Sequence, residues 1–421
     1  MSSVKIKRAV FKASRAFSVI VAVSFVAQVY FVNWQGTTQK PIRTPKEPVQ
    51  TVDTTSSSVA VDDVKPPQDR TVWGLLQDDS RISAFAQWVG QFDDIVKGLD
   101  TPQARFTLFA PTNEAVARES FEHDLPWFYW KFLVGYHMSL GNSSAAALHT
   151  QNTVQSFVNA DVFFNYKQRI SVQTVDPEYD DDDEDEKDIT FNRRSTIIVP
   201  DQKATNGYIH LVDRVIFLPE STTHILRSHD EFATFRQALT KTVDLAVLVN
   251  DTSTHVGQTI FAPTEAAFAK LGRKANQFFF GPGGEDYLRA LLAYHIVANQ
   301  TLFSDVFFQE DGRGQLPVNT DSEPAESPNN RQSVRINSLV PLAMPDMVAM
   351  DGVVHGIDTI LVPPGVVDSE NNQEDESPRS PDNRPWFFRF FDWSAAGTTE
   401  ETLTVDQWIE RLQPLMSELR V

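Results

Sequence analysis

Apolar positions first fall into one block near the N-terminus: between Ala16 and Val32 only Ser18, Ser24 and Gln28 interrupt the run. After it the periods shorten. Trp130, Leu133, Val134 and His137 recur at spacings of 0, 3, 4 and 7, as do Leu288, Leu291, Leu292 and His295. That spacing predicts two helices, each with its histidine on the apolar face. Phe106–Pro111 and Gln258–Pro263 are apolar runs stopped by proline. Proline keeps the preceding alanine extended, so each run reads as a short strand. Thr112 and Thr264 then stand as caps of a new helix, with Glu114 and Glu265 in its first turn, where the helix dipole favours negative charge. A third pattern, Asn206–Pro219 and Asp351–Pro363, opens on a turn glycine, closes on a proline and is apolar at both parities. It predicts a strand covered on both faces.

The three patterns occur twice in the same order, a repeat of roughly 150 residues, which is the size of a domain rather than of a solenoid unit. The chain then divides into a basic cytosolic tip with a membrane anchor or signal (1–35) and a flexible stem rich in Thr, Ser, Pro and Val (36–68). Two domains follow, 69–219 and 220–364, the first interrupted by an acidic loop at 176–188. Residues 365–421 hold an acidic linker, an aromatic segment from Trp386 to Trp393 and a C-terminal helix.

The repeated stations resemble the fasciclin-like (FAS1) domain family. They are Phe-Ala-Pro-Thr at 109–112 and 261–264, Tyr136-His137 and Tyr294-His295, and the Gly-x-(Ile/Val)-His strands at 207–210 and 352–355. Upstream, Val72-Trp73-Gly74-Leu75-Leu76 with Phe85, and His224-Ile225-Leu226 with Phe235, look like the amphipathic helices that open such a domain. The resemblance implies an α+β fold, two tandem β-sandwich or wedge modules with helices packed at one end; the apolar block at the start of the sequence, and not the resemblance, adds an N-terminal single membrane anchor. Two departures stand out. Val116 occupies a place where the family usually has an aromatic residue, and Gly356 replaces the bulkier Leu211 of the first copy, a change expected to loosen local packing.

Composition narrows the chemistry. There is no cysteine, which removes disulfides, thiolate zinc sites, iron–sulfur clusters and a cysteine nucleophile. With 37 Lys plus Arg against 56 Asp plus Glu the net charge is −19. Such a surface repels phosphate backbones, so nucleic acid is not an expected partner. The exception is the start: Lys5, Lys7, Arg8, Lys12 and Arg15 precede the apolar block, and the first acid is Glu47. At the lower edge of the roughly 17–25 residues a span needs, that block reads as an uncleaved signal anchor in type II orientation. Everything beyond it would face a lumen (an endomembrane organelle or vacuole) or the cell exterior. Secretion after cleavage, and less so a mitochondrial address, are the alternatives. Three sequons, at Asn142, Asn250 and Asn299, are candidate N-glycosylation sites, the first and last on the loop leaving the histidine helix.

The remaining candidates for chemistry are few. His137, His210, His295 and His355 belong to the repeat, one on a helix and one on a strand in each copy, with no third repeated ligand nearby. They are expected to be buried imidazoles satisfied by backbone or hydroxyl partners, not metal ligands. The acidic run from Asp176 to Asp188 lacks the glycine of an EF-hand loop and reads as a solvated loop. In a different class, the same run could hold a divalent ion in a type II lumenal glycosyltransferase, but no alternating strand and helix series supports a nucleotide fold. Val405, Trp408, Ile409, Leu412, Leu415 and Leu419 form a helical stripe behind a Thr404–Gln407 capping box, and are expected to dock on a domain. The reading is a non-enzymatic adhesion, scaffolding or tethering protein without cofactor. It would contact proteins or glycans at a membrane or cell surface, with homophilic association as a further expectation. By the family resemblance, Tyr136, His137, Tyr294 and His295 mark the candidate adhesion region, the surface beside the rings rather than the rings themselves.

Overall fold

The computed structural model describes residues 70–119, 121, 125–158, 168–175, 188–250, 257–305, 335–336, 340–363 and 403–418. The first domain opens with helices α1 (Val72–Asp78), α2 (Ser83–Val89) and α3 (Asp93–Leu99), followed by strand β1 (Phe106–Pro111). Next come α4 (Asn113–Arg118), α5 (Trp127–Tyr136), β2 (Met138–Leu140), α6 (Ala145–His149) and β3 (Thr153–Gln155). Strands β4 (Arg169–Val175), β5 (Asp188–Phe191), β6 (Ser195–Ala204) and β7 (Gly207–Val212) complete it. The second domain repeats the order with α7 (Thr222–Ser228), α8 (Ala233–Lys241), α9 (Val243–Asn250), β8 (Gln258–Pro263), α10 (Glu265–Leu271) and α11 (Arg273–Phe280). It continues through α12 (Glu285–Ala293), β9 (Ile296–Ala298), β10 (Arg335–Ile336), β11 (Val340–Ala349) and β12 (Gly352–Ile357). Helix α13 (Val405–Glu418) lies beyond both.

The first sheet runs β2-β1-β7-β6-β5-β4-β3 and the second β10-β11-β12-β8-β9. In each, the strand ending in Phe-Ala-Pro pairs parallel with the Gly-x-x-His strand, β1 with β7 and β8 with β12, while among the described residues every other pair of neighbouring strands is antiparallel. A bridge between Ser139 and Ser156 brings the two ends of the first sheet together, so the sheet closes on itself as a wedge. The parallel pairing demands glycine at one spot: a Cβ on Gly207 would lie 1.8 Å from the Phe106 carbonyl oxygen. The junctions after the prolines form as the sequence predicts. Thr112 and Thr264 accept from the backbone N–H of Ala115 and Ala267, capping α4 and α10.

Each wedge has two apolar interiors. In the first domain one lies between the helices and β1, β2 and β7, with Phe85, Leu108, Leu133 and Ile209 fully buried. The other lies inside the folded sheet, around Phe109, Tyr136, Ile170 and Phe191. The second domain has one large interior on the helical side and a small one of Phe303, Val348 and Val353 inside the sheet. Gly356 does not loosen this domain. Opposite it on β11, Met344 fills the space, and a Cβ on Gly356 would come within 2.8 Å of the methionine Cβ.

Helix α13 packs on α12 and α11, burying Trp408, Leu412 and Leu415 in the core of the second domain. Its capping box is formed: the Thr404 N–H donates to Gln407 Oε1 at 2.8 Å and the Gln407 N–H to Thr404 Oγ1 at 3.3 Å. Two features weaken it. Pro414 lies inside the helix, a placement that costs about 3 kcal/mol. The Trp408 indole N–H is buried without a hydrogen-bond partner, a further cost of about 1–3 kcal/mol. The helix therefore persists through its docking rather than through its own propensity.

The anchor (1–35), the stem (36–68), the aromatic segment and all of the acidic run except Asp188 lie outside the described residues. Among the described residues no helix is long and apolar enough to cross a membrane.

Candidate interaction site

The structure places the repeated histidines inside the molecule. His137, His210, His295 and His355 are each fully buried. His137 follows the last turn of α5; its Nδ1 lies 2.8 Å from the Leu133 carbonyl, and its Nε2 accepts the Ile216 N–H at 2.9 Å. His295 repeats this with the Leu291 carbonyl at 2.8 Å and the Leu361 N–H at 2.9 Å. Because Nε2 accepts, Nδ1 must carry the proton, and the ring is neutral. Burial holds both rings neutral far into acid, their pKa pushed down to about 4. The imidazole thereby ties the end of the helix to the segment that leaves the parallel strand.

The strand histidines use the opposite tautomer. His210 Nε2 meets the Ser143 carbonyl at 2.9 Å and its Nδ1 accepts the Asp201 N–H at 3.2 Å. His355 Nε2 meets the Leu302 carbonyl at 2.8 Å and its Nδ1 accepts the Asp346 N–H at 3.1 Å. Burial lowers both pKa values. Asp201 and Asp346 were not apparent as site residues in the sequence. Each follows a proline, stands nine residues before its histidine, and adopts a positive φ (56° and 52°) where the strand shifts register. The recurrence of Pro-Asp at that spacing is the signal that could have found them.

These struts hold up a loop in each domain. Thr107 donates its hydroxyl to the Gly141 carbonyl at 2.9 Å and accepts the Ser143 N–H at 2.8 Å; Thr259 does the same with Gln300 and Leu302 at 2.8 and 2.9 Å. The loops carry the sequons Asn142 and Asn299. They do not leave the helix directly: the short strands β2 and β9 intervene, paired with β1 and β8. Asn142, Asn250 and Asn299 all have exposed side chains. Tyr136, by contrast, is fully buried, with its hydroxyl donating to the Arg169 carbonyl at 2.7 Å, and Tyr294 is only 9% exposed. The rings of the candidate adhesion region are therefore interior, and what faces solvent near them is the sequon loop.

The loop of the second domain also meets the first domain. Arg169 on β4 pairs with Asp305 and lies over the Phe303 ring, 5.4 Å from its centroid, and Thr153 donates to the same carboxylate. Beside them, Asn152 donates to Ser304 Oγ at 3.0 Å, Gln168 to the Met350 carbonyl at 3.1 Å and Arg193 to the Pro345 carbonyl at 2.9 Å. Asp346 accepts from the Ser304 N–H at 2.8 Å and from its hydroxyl. Burial pushes the Asp305 carboxyl up, while the Thr153 hydroxyl and the Arg169 charge pull it back. The two domains are joined by a charged, hydrogen-bonded seam. Among the described residues no group of three or more acidic or histidine side chains is arranged to hold a metal ion.

Comparison with known proteins agrees with this architecture. The fasciclin domain matches residues 80–219 and 230–363. Aurofusarin biosynthesis cluster protein S of Gibberella zeae is 38% identical over 393 residues, spanning 86% of this chain and 90% of that protein. Human periostin is 28% identical over 172 residues, 40% of this chain and 19% of periostin. A FAS1 domain pair from the insect cell adhesion molecule fasciclin I covers 67% of this chain and 97% of its own at 19% identity, with a TM-score of 0.34. Two matched domains over most of the chain, and a relative this similar along nearly its whole length, show that the chain belongs to the fasciclin domain family.

Proposed function

We propose that the chain is a non-enzymatic scaffolding or tethering protein that faces a lumen or the cell exterior and binds proteins or glycans through its tandem modules. The observation that carries this reading is the commitment of both ring nitrogens of all four repeated histidines to the backbone. A neutral imidazole so engaged has no lone pair or proton left for a substrate or a metal, so the chemistry duplicated in this chain serves architecture. Fasciclin domain proteins are adhesion-related, which supports the same reading. The exposed sequon asparagines favour a lumenal or external address, and the basic tip with its apolar block favours a type II anchor. The similarity to a protein named for an aurofusarin biosynthesis cluster adds a biosynthetic setting to this reading.

The test is a deglycosylation assay on the membrane fraction. A loss of mass on glycosidase treatment, with the protein retained in the pellet after alkaline extraction, is the expected result. An unshifted band in mitochondria would overturn the address. Replacing 180–186 with Gly and Ser should leave folding and partner capture intact, whereas loss of a metal-dependent sugar transfer would establish the enzyme reading instead.

A further inference from the structure

We infer that Asn250 carries an N-linked glycan whose first sugars lie over an apolar stripe on α9. This deepens the lumenal address proposed above and rests on it, because sequons are glycosylated on the lumenal side of the secretory pathway. Helices α3 and α9 hold the same place in the two domains, and their sequences align residue for residue, Asp93 with Val243 and Asp100 with Asn250. Both bury the same positions: Ile95 and Leu99 in one, Leu245 and Val249 in the other. What they show to solvent differs. The first copy exposes charge at Asp93, Lys97 and Asp100, and the second exposes Val243, Val247 and Asn250 at those positions. Val243 is 68% exposed and Val247 56%, more than any other large apolar side chain among the described residues.

The polarity lost from this face returns at its end. At 3.6 residues per turn, positions 243, 247 and 250 fall within an arc of about 60°, so all three share one face of α9. Helical Cα–Cβ bonds tilt toward the N-terminus, which leans the Asn250 side chain back over the turn that carries Val247. The sequon Asn250-Asp251-Thr252 therefore sets its sugar beside the valines. A pyranose ring offers a C–H face to aliphatic side chains and keeps its hydroxyls for water and polar neighbours. Arg289 and Asp244, 2.5 Å apart from Nε to Oδ2, supply a polar border to the stripe. Covering the two valines takes apolar surface out of water at no cost to the solvation of the hydroxyls. In the first copy the charges of Asp93 and Lys97 make such a cover unnecessary.

Carbene footprinting of the solubilised full chain, made in a glycosylating eukaryotic host and read by peptide mass spectrometry, reports both the occupancy of Asn250 and the cover. Val243 and Val247 should be labelled several-fold less in the parent than in Asn250→Gln. Two references accompany them: Trp127, 48% exposed in the first domain, should be labelled equally in both chains, and Leu291, buried in the second, in neither. Thr252→Ala removes the sequon without touching α9 and should uncover the valines as fully as Asn250→Gln does. Equal labelling of the valines in parent and variants overturns the inference, as does a bare Asn250 in a chain glycosylated at Asn142 or Asn299. The lumenal address survives either result. A chain bare at all three sequons removes the address and the inference together.

Discussion

The backbone N–H of Asp346 donates to His355 Nδ1 at 3.1 Å, a bond that Asp201 and His210 repeat at 3.2 Å in the other domain. It is made possible by the bulge, which turns one backbone N–H of the long strand toward the neighbouring strand's side chain instead of its carbonyl. The aspartate carboxylate is thereby freed for the loop: Asp201 accepts from the Ala145 N–H at 2.8 Å, and Asp346 from Ser304. One bulge thus fixes an imidazole and a loop together, twice.

Neutral buried imidazoles make stability depend on pH. The folded pKa of His137 and His295 is pushed down to about 4, below the value of about 6.5 in an unfolded chain. Below pH 6.5 the unfolded chain takes up protons that the folded chain refuses, so stability falls as pH drops from 6.5 toward 4 and is flat above. At pH 5 each of the two should account for about 2 kcal/mol of loss. Burial raises the carboxyl pKa of Asp305 and Asp351, so at those two sites acid favours the folded form and opposes the trend. Chemical unfolding at a series of pH values between 8 and 4.5 measures the slope, and a stability that does not change across that interval contradicts the strut assignment.

Removing one strut tests it at a single site. In His137→Ala the Ile216 N–H and the Leu133 carbonyl lose their partner inside the core, and a space opens beside Phe85, whose ring centroid lies 5.1 Å from the imidazole. Unsatisfied groups and a cavity together should cost about 2–4 kcal/mol. The descending limb of the pH profile should shrink by one histidine's share. A variant as stable as the parent, with an unaltered profile, would show that the ring does not carry the junction.

What the sequence displayed and what it hid follow from range. The strand-to-helix junctions, the histidine helices and the capping box at Thr404 are local patterns, fixed by period, proline and cap within about ten residues. Strands β2 and β9 are three residues each, too short to show alternation. Pro200-Asp201 and Pro345-Asp346 look like turn punctuation, yet they stand inside ten-residue strands as bulges. Gly356 suggested slack because its neighbour across the strand pair, Met344, is visible only in the folded register. The seam between the domains left no trace, since Arg169 and Asp305 are joined by nothing but the fold.

Gly207 offers a test of the shared parallel pairing. A methyl group there meets the Phe106 carbonyl oxygen and, at 3.1 Å, Val72 Cγ2, neither of which can move without shifting β1 or α1. Gly207→Ala should destabilise the first domain toward the upper end of the roughly 1–3 kcal/mol typical of overpacking. Gly98→Ala, where the added methyl makes only an ordinary contact with Phe106, serves as the control and should be close to neutral. Equal behaviour of the two variants in thermal unfolding would refute the close approach.

The seam predicts coupling between domains. Arg169 and Asp305 are each less than a quarter exposed as side chains, and Thr153 and Phe303 complete the surround. Such a pair is screened less by salt than a surface pair, and deleting one partner leaves the other charge partly buried and unanswered. Asp305→Ala and Arg169→Ala should each weaken docking, while the double variant should lose less than their sum, with a coupling energy on the order of 1–2 kcal/mol. In calorimetry the parent should unfold the two domains in one joined transition, and either single variant should separate it into two. Small-angle scattering should report a larger radius of gyration for the variants as the modules part. Additive losses in the cycle, with an unbroken transition, would mean that the residues touch without holding the domains together.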